Sequence, residues 1–201
     1  MAKADASMLG VPKYERVEND FYPTEPACTI ALYDYLKARA LVQPSSVIYE
    51  PACGDGAIVK VFEERGHKVH ASDLFPQMDG ADVKDFLTGD FMFDRDLPVR
   101  PLVITNPPYA MPYIDLFMDR IMDLVHNDGV TGAMLMRNEV DCAISRRKFF
   151  EDNPYYFGKL VLNWRPRWIP GSTGSPRHNY AWYIWSPFAT DPTINYGMRP
   201  K

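Results

Sequence analysis

"SVIYEPACGDGAIVKVFEERG", residues 46–66, decides how the rest of the chain is read. "SVIYE" (46–50) is a β-branched and aromatic run of strand length. "PACGDG" (51–56) ends it with two glycines, which reach backbone angles closed to other residues. "AIVKVFEERG" continues with apolar residues at helical spacing and Gly66 as a C-terminal stop. Strand, glycine turn and helix in that order open a β-α-β unit. In an open α/β sheet such a turn lies where ligands bind, between the carboxyl end of the strand and its helix.

The pattern repeats outward from that unit. "HKVHASDL" (67–74) reads as a second strand leading to Asp73, and "VKDFL" (83–87) as a short third strand or a loop. "PLVITN" (101–106) is a strongly apolar fourth strand and "GVTGAMLMR" (129–137) a fifth. Between them "YIDLFMDRIMDLV" (113–125) puts Ile114, Phe117, Met118, Ile121 and Val125 on one helical face. Upstream, apolar spacing predicts a helix over about 27–40, and "AISRRKFFED" (143–152) reads as a basic amphipathic helix. "KLVLNWRPRW" (159–168) and "NYAWYIW" (179–185) are β-rich segments joined by the Pro/Gly/Ser-rich "IPGSTGSPRH" without a helix. The expected fold is a one-domain α/β three-layer sandwich. Its sheet is Rossmann-like, mainly parallel and seven-stranded, with a C-terminal antiparallel hairpin.

Composition narrows the function classes. The 201 residues are 46% hydrophobic and 24% charged, the balance of a globular domain. No run approaches the ~20 apolar residues of a membrane span, and "MAKADASMLG" lacks the apolar core of a secretory signal. A cytoplasmic protein with no membrane partner is expected. Cys28, Cys53 and Cys142, with histidines at 67, 70, 126 and 178, show no metal-ligand spacing, so no metal is expected. The net charge of −4 is uneven: residues 1–110 hold 11 Lys+Arg against 17 Asp+Glu, residues 111–201 hold 11 against 9. The excess lies around Arg137, Arg146, Arg147, Lys148, Lys159, Arg165, Arg167 and Arg177, a local basic face able to follow phosphates.

Three features then line up along the chain. Gly54 and Gly56 let a ligand approach the backbone, with Glu50 at the strand tip expected to point an acceptor into the same crevice. The turn lacks the Lys and Ser/Thr of a phosphate loop and the full glycine set of dinucleotide enzymes. Asp73 ends the second strand 23 residues after Glu50, where an acid accepts hydrogen bonds from ribose hydroxyls. Asp85 and Phe86 follow with an acceptor for an exocyclic amine and an apolar wall for its ring. Last comes "TNPPY" (105–109). An aromatic amine is a poor nucleophile because its lone pair is delocalised. If the Asn106 side-chain oxygen and the Pro107 carbonyl accept its two hydrogens, the nitrogen is driven toward tetrahedral geometry. Pro107 and Pro108 stiffen the turn and remove competing N–H donors, and Tyr109 can stack on the base. Positioning and electrostatics carry such a rate without an acid or base of unusual pKa.

In this order "YPTEPA", "EPACGDG", "SD", "DF" and "TNPPY" resemble the S-adenosylmethionine-dependent amino-methyltransferases, particularly the DNA N6-adenine group and its short phage-type members. The resemblance covers roughly residues 20–188 and implies a methyltransferase domain over 21–190, a flexible arm over 1–20 and a tail over 191–201. It implies S-adenosylmethionine as cofactor and DNA as partner, with the target base flipped from its stack. Tyr22 and Thr24 would meet the methionine carboxylate, while Glu50, Ala52, Cys53 and Gly54 line the methionine part. Asp73 would take the ribose, Leu74 one face of the cofactor adenine, and Asp85 with Phe86 its amine. Asn106, Pro107, Pro108 and Tyr109 would hold the target base, with Trp164 or Trp168 as its second wall. Arg165, Arg167, Arg177 and His178 surround a loop able to close over a nucleic-acid backbone.

No separate target-recognition domain is expected in these 201 residues, a departure from the group. That implies low or short specificity, a specificity subunit, or a homodimer. The same turn serves enzymes acting on RNA bases or on a protein glutamine. A non-catalytic subunit that binds cofactor or nucleic acid is the reading from outside the enzymes, and Asn106 argues against it.

Overall fold

Helices cover both faces of one eight-stranded sheet in the computed structural model, which describes residues 22–89, 100–168 and 176–200. The predicted arm over 1–20 and positions 169–175 of the Pro/Gly/Ser-rich loop lie outside the described residues. Helix α1 (Pro26–Ala38) starts on a proline, whose missing N–H costs nothing in a first turn. Strand β1 (Val47–Glu50) runs through the glycine turn into α2 (Ala57–Glu63), which Gly56 caps in the left-handed region at φ 78°. The positive φ favours glycine there; Met78 Sδ would stand 2.5 Å from a Cβ at Gly56 but ends a flexible side chain that can give way. Strands β2 (Lys68–Asp73) and β3 (Asp82–Val83) lie on one side of β1, and β4 (Leu102–Thr105), buried at every position, on the other. Helix α3 (Tyr113–Asp128) buries the predicted stripe and ends at Gly129, again left-handed. Strands β5 (Thr131–Arg137), β6 (Tyr156–Leu162), β7 (Tyr180–Trp185) and β8 (Thr193–Gly197) complete the order β3-β2-β1-β4-β5-β7-β6-β8.

β3, β2, β1, β4 and β5 are parallel, and β7 is antiparallel to both β5 and β6. The order turns back between β1 and β4, which opens a crevice at their carboxyl ends. The two inner faces carry separate cores, one with α1 and α2, the other with α3. β7 ties both together. Trp182 donates its indole N–H to the Cys28 carbonyl of α1 at 2.9 Å, and Trp185 donates to the Phe149 carbonyl on the other face at 2.7 Å. Both indoles are fully buried, so each needs its partner.

Three expectations are corrected. The sheet has eight strands rather than seven, because Thr193–Gly197 of the presumed tail pairs in parallel with β6. Its alternation is inverted and hides it. Ile194 and Tyr196 are exposed, whereas Asn195 turns toward α1, donating to the Tyr35 hydroxyl and accepting from Arg39. The third strand shrinks to Asp82–Val83. The predicted basic helix over 143–152 is a 3-10 turn, Ile144–Phe149, preceded by another at Val140–Cys142, and its cations are spent on acids. Arg146 meets Asp115 at 2.7 Å and Lys148 meets Asp119 at 2.6 Å, both from α3, while Arg147 meets Glu151 and Asp152.

Candidate active site

A cavity of about 390 Å³ opens at the carboxyl ends of β1, β2 and β4. Its walls come from the glycine turn, the loops after β2 and β3, the turn after β4, and the approach to α1. Of the residues predicted for the cofactor, Tyr22, Thr24, Ala52, Cys53, Gly54, Asp73, Leu74, Asp85, Phe86 and Asn106 all face it.

The acids organise the backbone around the cavity. The Asp73 carboxylate accepts the Gly54 amide at 2.9 Å on one oxygen and the Phe75 amide at 2.8 Å on the other. Gly54 sits at φ 51°, which directs its N–H to Asp73. The Cys53 amide bonds to the Ser72 carbonyl and the Gln77 amide to the Gly54 carbonyl, so the turn after β1 is fastened to the end of β2. Asp85 caps its own turn, accepting from the Leu87 amide at 2.9 Å and the Thr88 hydroxyl at 3.0 Å. Leu74 and Phe75 stand beside Asp73 as apolar walls left 51% and 58% exposed. Phe86 closes the opposite wall, tilted against Phe117 at 5.0 Å.

Glu50 departs from its expected place. It is fully buried beneath the glycine turn rather than in the cavity wall. One carboxylate oxygen accepts the Ala52 amide at 3.2 Å and the other has no partner among the described residues. Burial pushes its pKa up to about 8 against the stabilising contacts of Thr105 and Ala52. Burial, with Glu50 and Asp73 next, likewise pushes the Cys53 thiol up to about 12. It is therefore no thiolate nucleophile at neutral pH.

Asn106 is held from both sides. Its Nδ2 donates to Thr24 Oγ1 at 3.0 Å and, more weakly, to the Tyr22 carbonyl at 3.5 Å. Its Oδ1 accepts from the Tyr109 hydroxyl at 2.6 Å. That hydroxyl also lies 2.9 Å from the Leu135 carbonyl of β5, and its one hydrogen serves two acceptors. Thr24, predicted to meet a carboxylate, here holds the Nδ2 end, and the Tyr22 carbonyl, which can only accept, is what turns that end away from Tyr109. The Tyr109 ring is set edge-on to Tyr180 at 5.9 Å and tilted to Trp168 at 6.4 Å.

The two candidate tryptophans separate. Trp168 joins Tyr109 and Tyr180, whose ring lies 4.8 Å away, and the neighbouring Arg167 amide is fastened to Glu25 at the start of α1. Trp164 lines a second depression, with Asn138, Arg165 and Asn179, beyond the ends of β5 and β6. His178 is half-buried nearby. Burial first, and Arg137 next, hold its imidazole below the usual value, with Arg177 and Arg165 adding to the effect. Phe75, Lys84 and Tyr113 also line the main cavity and were missed. Phe75, two residues beyond Asp73, carried a signal in its position; the other two carried none. Among the described residues no cluster of acids, histidines and cysteines fit for a metal is present, and no helix is long and apolar enough to cross a membrane.

No protein-family model matches the chain, and no curated protein matches it in sequence. Solved structures match in shape. The chain is similar to a putative RNA methyltransferase from Pyrococcus horikoshii, with 17% identity and a TM-score of 0.60 over 90% of this chain and 94% of that one. It is similar to a putative class I S-adenosylmethionine-dependent methyltransferase from Listeria monocytogenes, with 16% identity and a TM-score of 0.58 over 87% and 65%. It is also similar to a type I restriction-modification methyltransferase subunit from Streptococcus thermophilus, with 13% identity and a TM-score of 0.57 over 88% and 47%. The chain thus spans about two thirds of the Listeria protein and about half of the streptococcal subunit. These likenesses establish the class I methyltransferase fold.

Proposed function

We propose that this chain transfers a methyl group from S-adenosylmethionine to the N6 amine of adenine in DNA. The observation that carries the reading is the double tether of Asn106. With Nδ2 spent on Thr24, the amide oxygen is the end left for an incoming amine. Oδ1 keeps a second lone pair while it accepts from Tyr109, and Tyr109 has the Leu135 carbonyl as an alternative acceptor. The buried Pro107 offers a carbonyl in the same rigid turn and no N–H to compete for it.

The cavity fits the cofactor by the chemistry of its walls. Asp73 retains lone pairs beyond those given to Gly54 and Phe75 and would take the ribose hydroxyls. The exposed faces of Leu74 and Phe75 would cover the cofactor's adenine, with Asp85 at its amine and Phe86 behind. Ala52, Cys53 and Gly54 would follow the methionine chain, with the Glu50 carboxyl beneath them. S-adenosylmethionine, when bound, supplies a methyl group on a positively charged sulfur. The protein's own contribution is to hold an amine in line by two acceptors and to stack its ring on Tyr109. Such placement of acceptors is worth on the order of 100-fold or more in rate per group. A specificity subunit or a second copy of the chain would supply further sequence recognition. The streptococcal likeness is to a protein of an assembled system of that kind.

The test is transfer of radiolabelled methyl to duplex DNA, single-stranded DNA, RNA and a protein extract. Asn106→Ala is expected to lose at least a hundredfold in turnover at nearly unchanged cofactor affinity. Label recovered as N6-methyladenine from DNA supports the reading. Label confined to RNA or protein, or near-normal turnover in Asn106→Ala, overturns it.

A further inference from the structure

We propose that the depression beyond β5 and β6 is a second nucleobase site, taking an unstacked base of the strand whose adenine enters the main cavity. The inference rests on the activity proposed above and adds a second contact to the same strand. The depression encloses about 300 Å³ between Asn138 after β5, Trp164 and Arg165 after β6, and Asn179 before β7. Because β5 and β6 run the same way, it opens on the sheet edge that carries the main cavity. The Tyr109, Trp168 and Tyr180 rings stand between the two, with Tyr180 following Asn179 directly.

Its polar groups are incomplete as they stand. Trp164 Nε1 and Asn138 Oδ1 are both shut off from solvent, and neither has a partner among the described residues. A buried donor or acceptor left unpaired costs about 1–3 kcal/mol, which a ligand that supplies the missing partner recovers. Trp182 and Trp185 on β7 each donate to a carbonyl, whereas the indole of Trp168, like that of Trp164, has no partner among the described residues. A donor and an acceptor from residues lining one depression suit a nucleobase edge, where an N–H adjoins a carbonyl or ring nitrogen. The indole also offers a face for stacking.

The charges match a strand rather than a free base. Arg165 is held by the Asn179 side-chain oxygen at 3.0 Å and the Pro176 carbonyl at 3.3 Å, both neutral acceptors. Arg137 and Arg177 lie close enough to act on His178 along with it, three cations against the acid Glu139. This contrasts with Arg146, Arg147 and Lys148, which are neutralised by acids. The rim is therefore positive where the base would enter, and a phosphodiester accompanies each base.

The test measures anisotropy of a labelled single-stranded deoxyoligonucleotide containing one adenine, with an abasic site moved through the flanking positions. The wild type is expected to lose about tenfold in affinity at one flanking position. Trp164→Ala should lose the same factor on the intact strand and then ignore that abasic site, while Trp164→Phe, keeping a stacking face, should recover most of it. Thermal unfolding certifies each variant, and Trp164→Phe decides if Trp164→Ala does not fold. The coupling should persist in Asn106→Ala, which transfers no methyl. Methyl transfer by the wild type without this coupling overturns the second site and leaves the activity standing. Coupling without transfer keeps the site and removes the activity. Equal abasic penalties in wild type and Trp164→Ala, or no binding by the wild type, also overturn the site.

Discussion

The two ends of the sheet edge treat their polar groups in opposite ways. Around the main cavity the groups that face it are paired, although one Glu50 oxygen beneath the glycine turn is not. Asp73 holds two backbone amides, Asp85 holds an amide and a hydroxyl, and Asn106 is tied at both ends of its amide. Beyond β5 and β6 the indole of Trp164 and the oxygen of Asn138 have no partner among the described residues. The first arrangement is preorganised, so its acceptors need no reordering when a ligand arrives. The second is completed by contact. What recommends the first site is how little it leaves open; what recommends the second is what it leaves open.

The comparison breaks most severely at Asp73. Asp73→Ala strips the acceptor from the Gly54 and Phe75 amides as well as from the proposed ribose contact. Charge-assisted hydrogen bonds of about 1.5–3 kcal/mol imply a loss of roughly 10–100-fold in cofactor affinity by calorimetry. Unchanged affinity would remove Asp73 from the cofactor site.

Glu50 gives a graded effect that depends on pH. Its carboxyl rises from an ordinary 4.5 to about 8 in the folded chain because it is buried. The folded state keeps a proton that the unfolded state has released, so stability falls as pH rises between these values and levels off above them. Glu50→Gln imitates the protonated acid. It should match the wild type near pH 4 and exceed it by on the order of a few kcal/mol at pH 8. A difference in melting temperature that does not change with pH would refute the burial argument.

The smallest expected effect sharpens the contrast between paired and uncancelled cations. Lys148 is exposed and engaged with Asp119, a pair worth about 0–1 kcal/mol. Lys148→Ala should shift oligonucleotide affinity by less than about twofold at fixed salt. A tenfold loss would return the 3-10 turn to the nucleic-acid surface.

Much of the main cavity was legible because its signals are local. "PACGDG" needs left-handed backbone whatever packs around it, and Gly54 and Gly56 both adopt it. The stripe of α3 lay in a spacing that only one helical face can satisfy. The order of acids and glycines puts them on loops at one sheet edge because each follows its own strand. Other features had no local signal. Glu50 read as an exposed acceptor because a strand tip is commonly open, and only the layers above it show the carboxyl buried. Arg146 and Lys148 read as a free basic face because Asp115 and Asp119 lie some thirty residues away in sequence.

The sequence alone determined the alternation of strand and helix, the glycine turn, the rigid Asn-Pro-Pro-Tyr turn and the place of each on the sheet edge. These depend on backbone angles and side-chain periodicity, which neighbouring residues set among themselves. Tertiary structure decided the eighth strand, the separation of Trp164 from Trp168, the burial of Glu50 and the tether between Thr24 and Asn106. Each of these joins segments far apart in the chain. Strand pairing and polar satisfaction depend on the neighbour that packing supplies rather than on the residue itself.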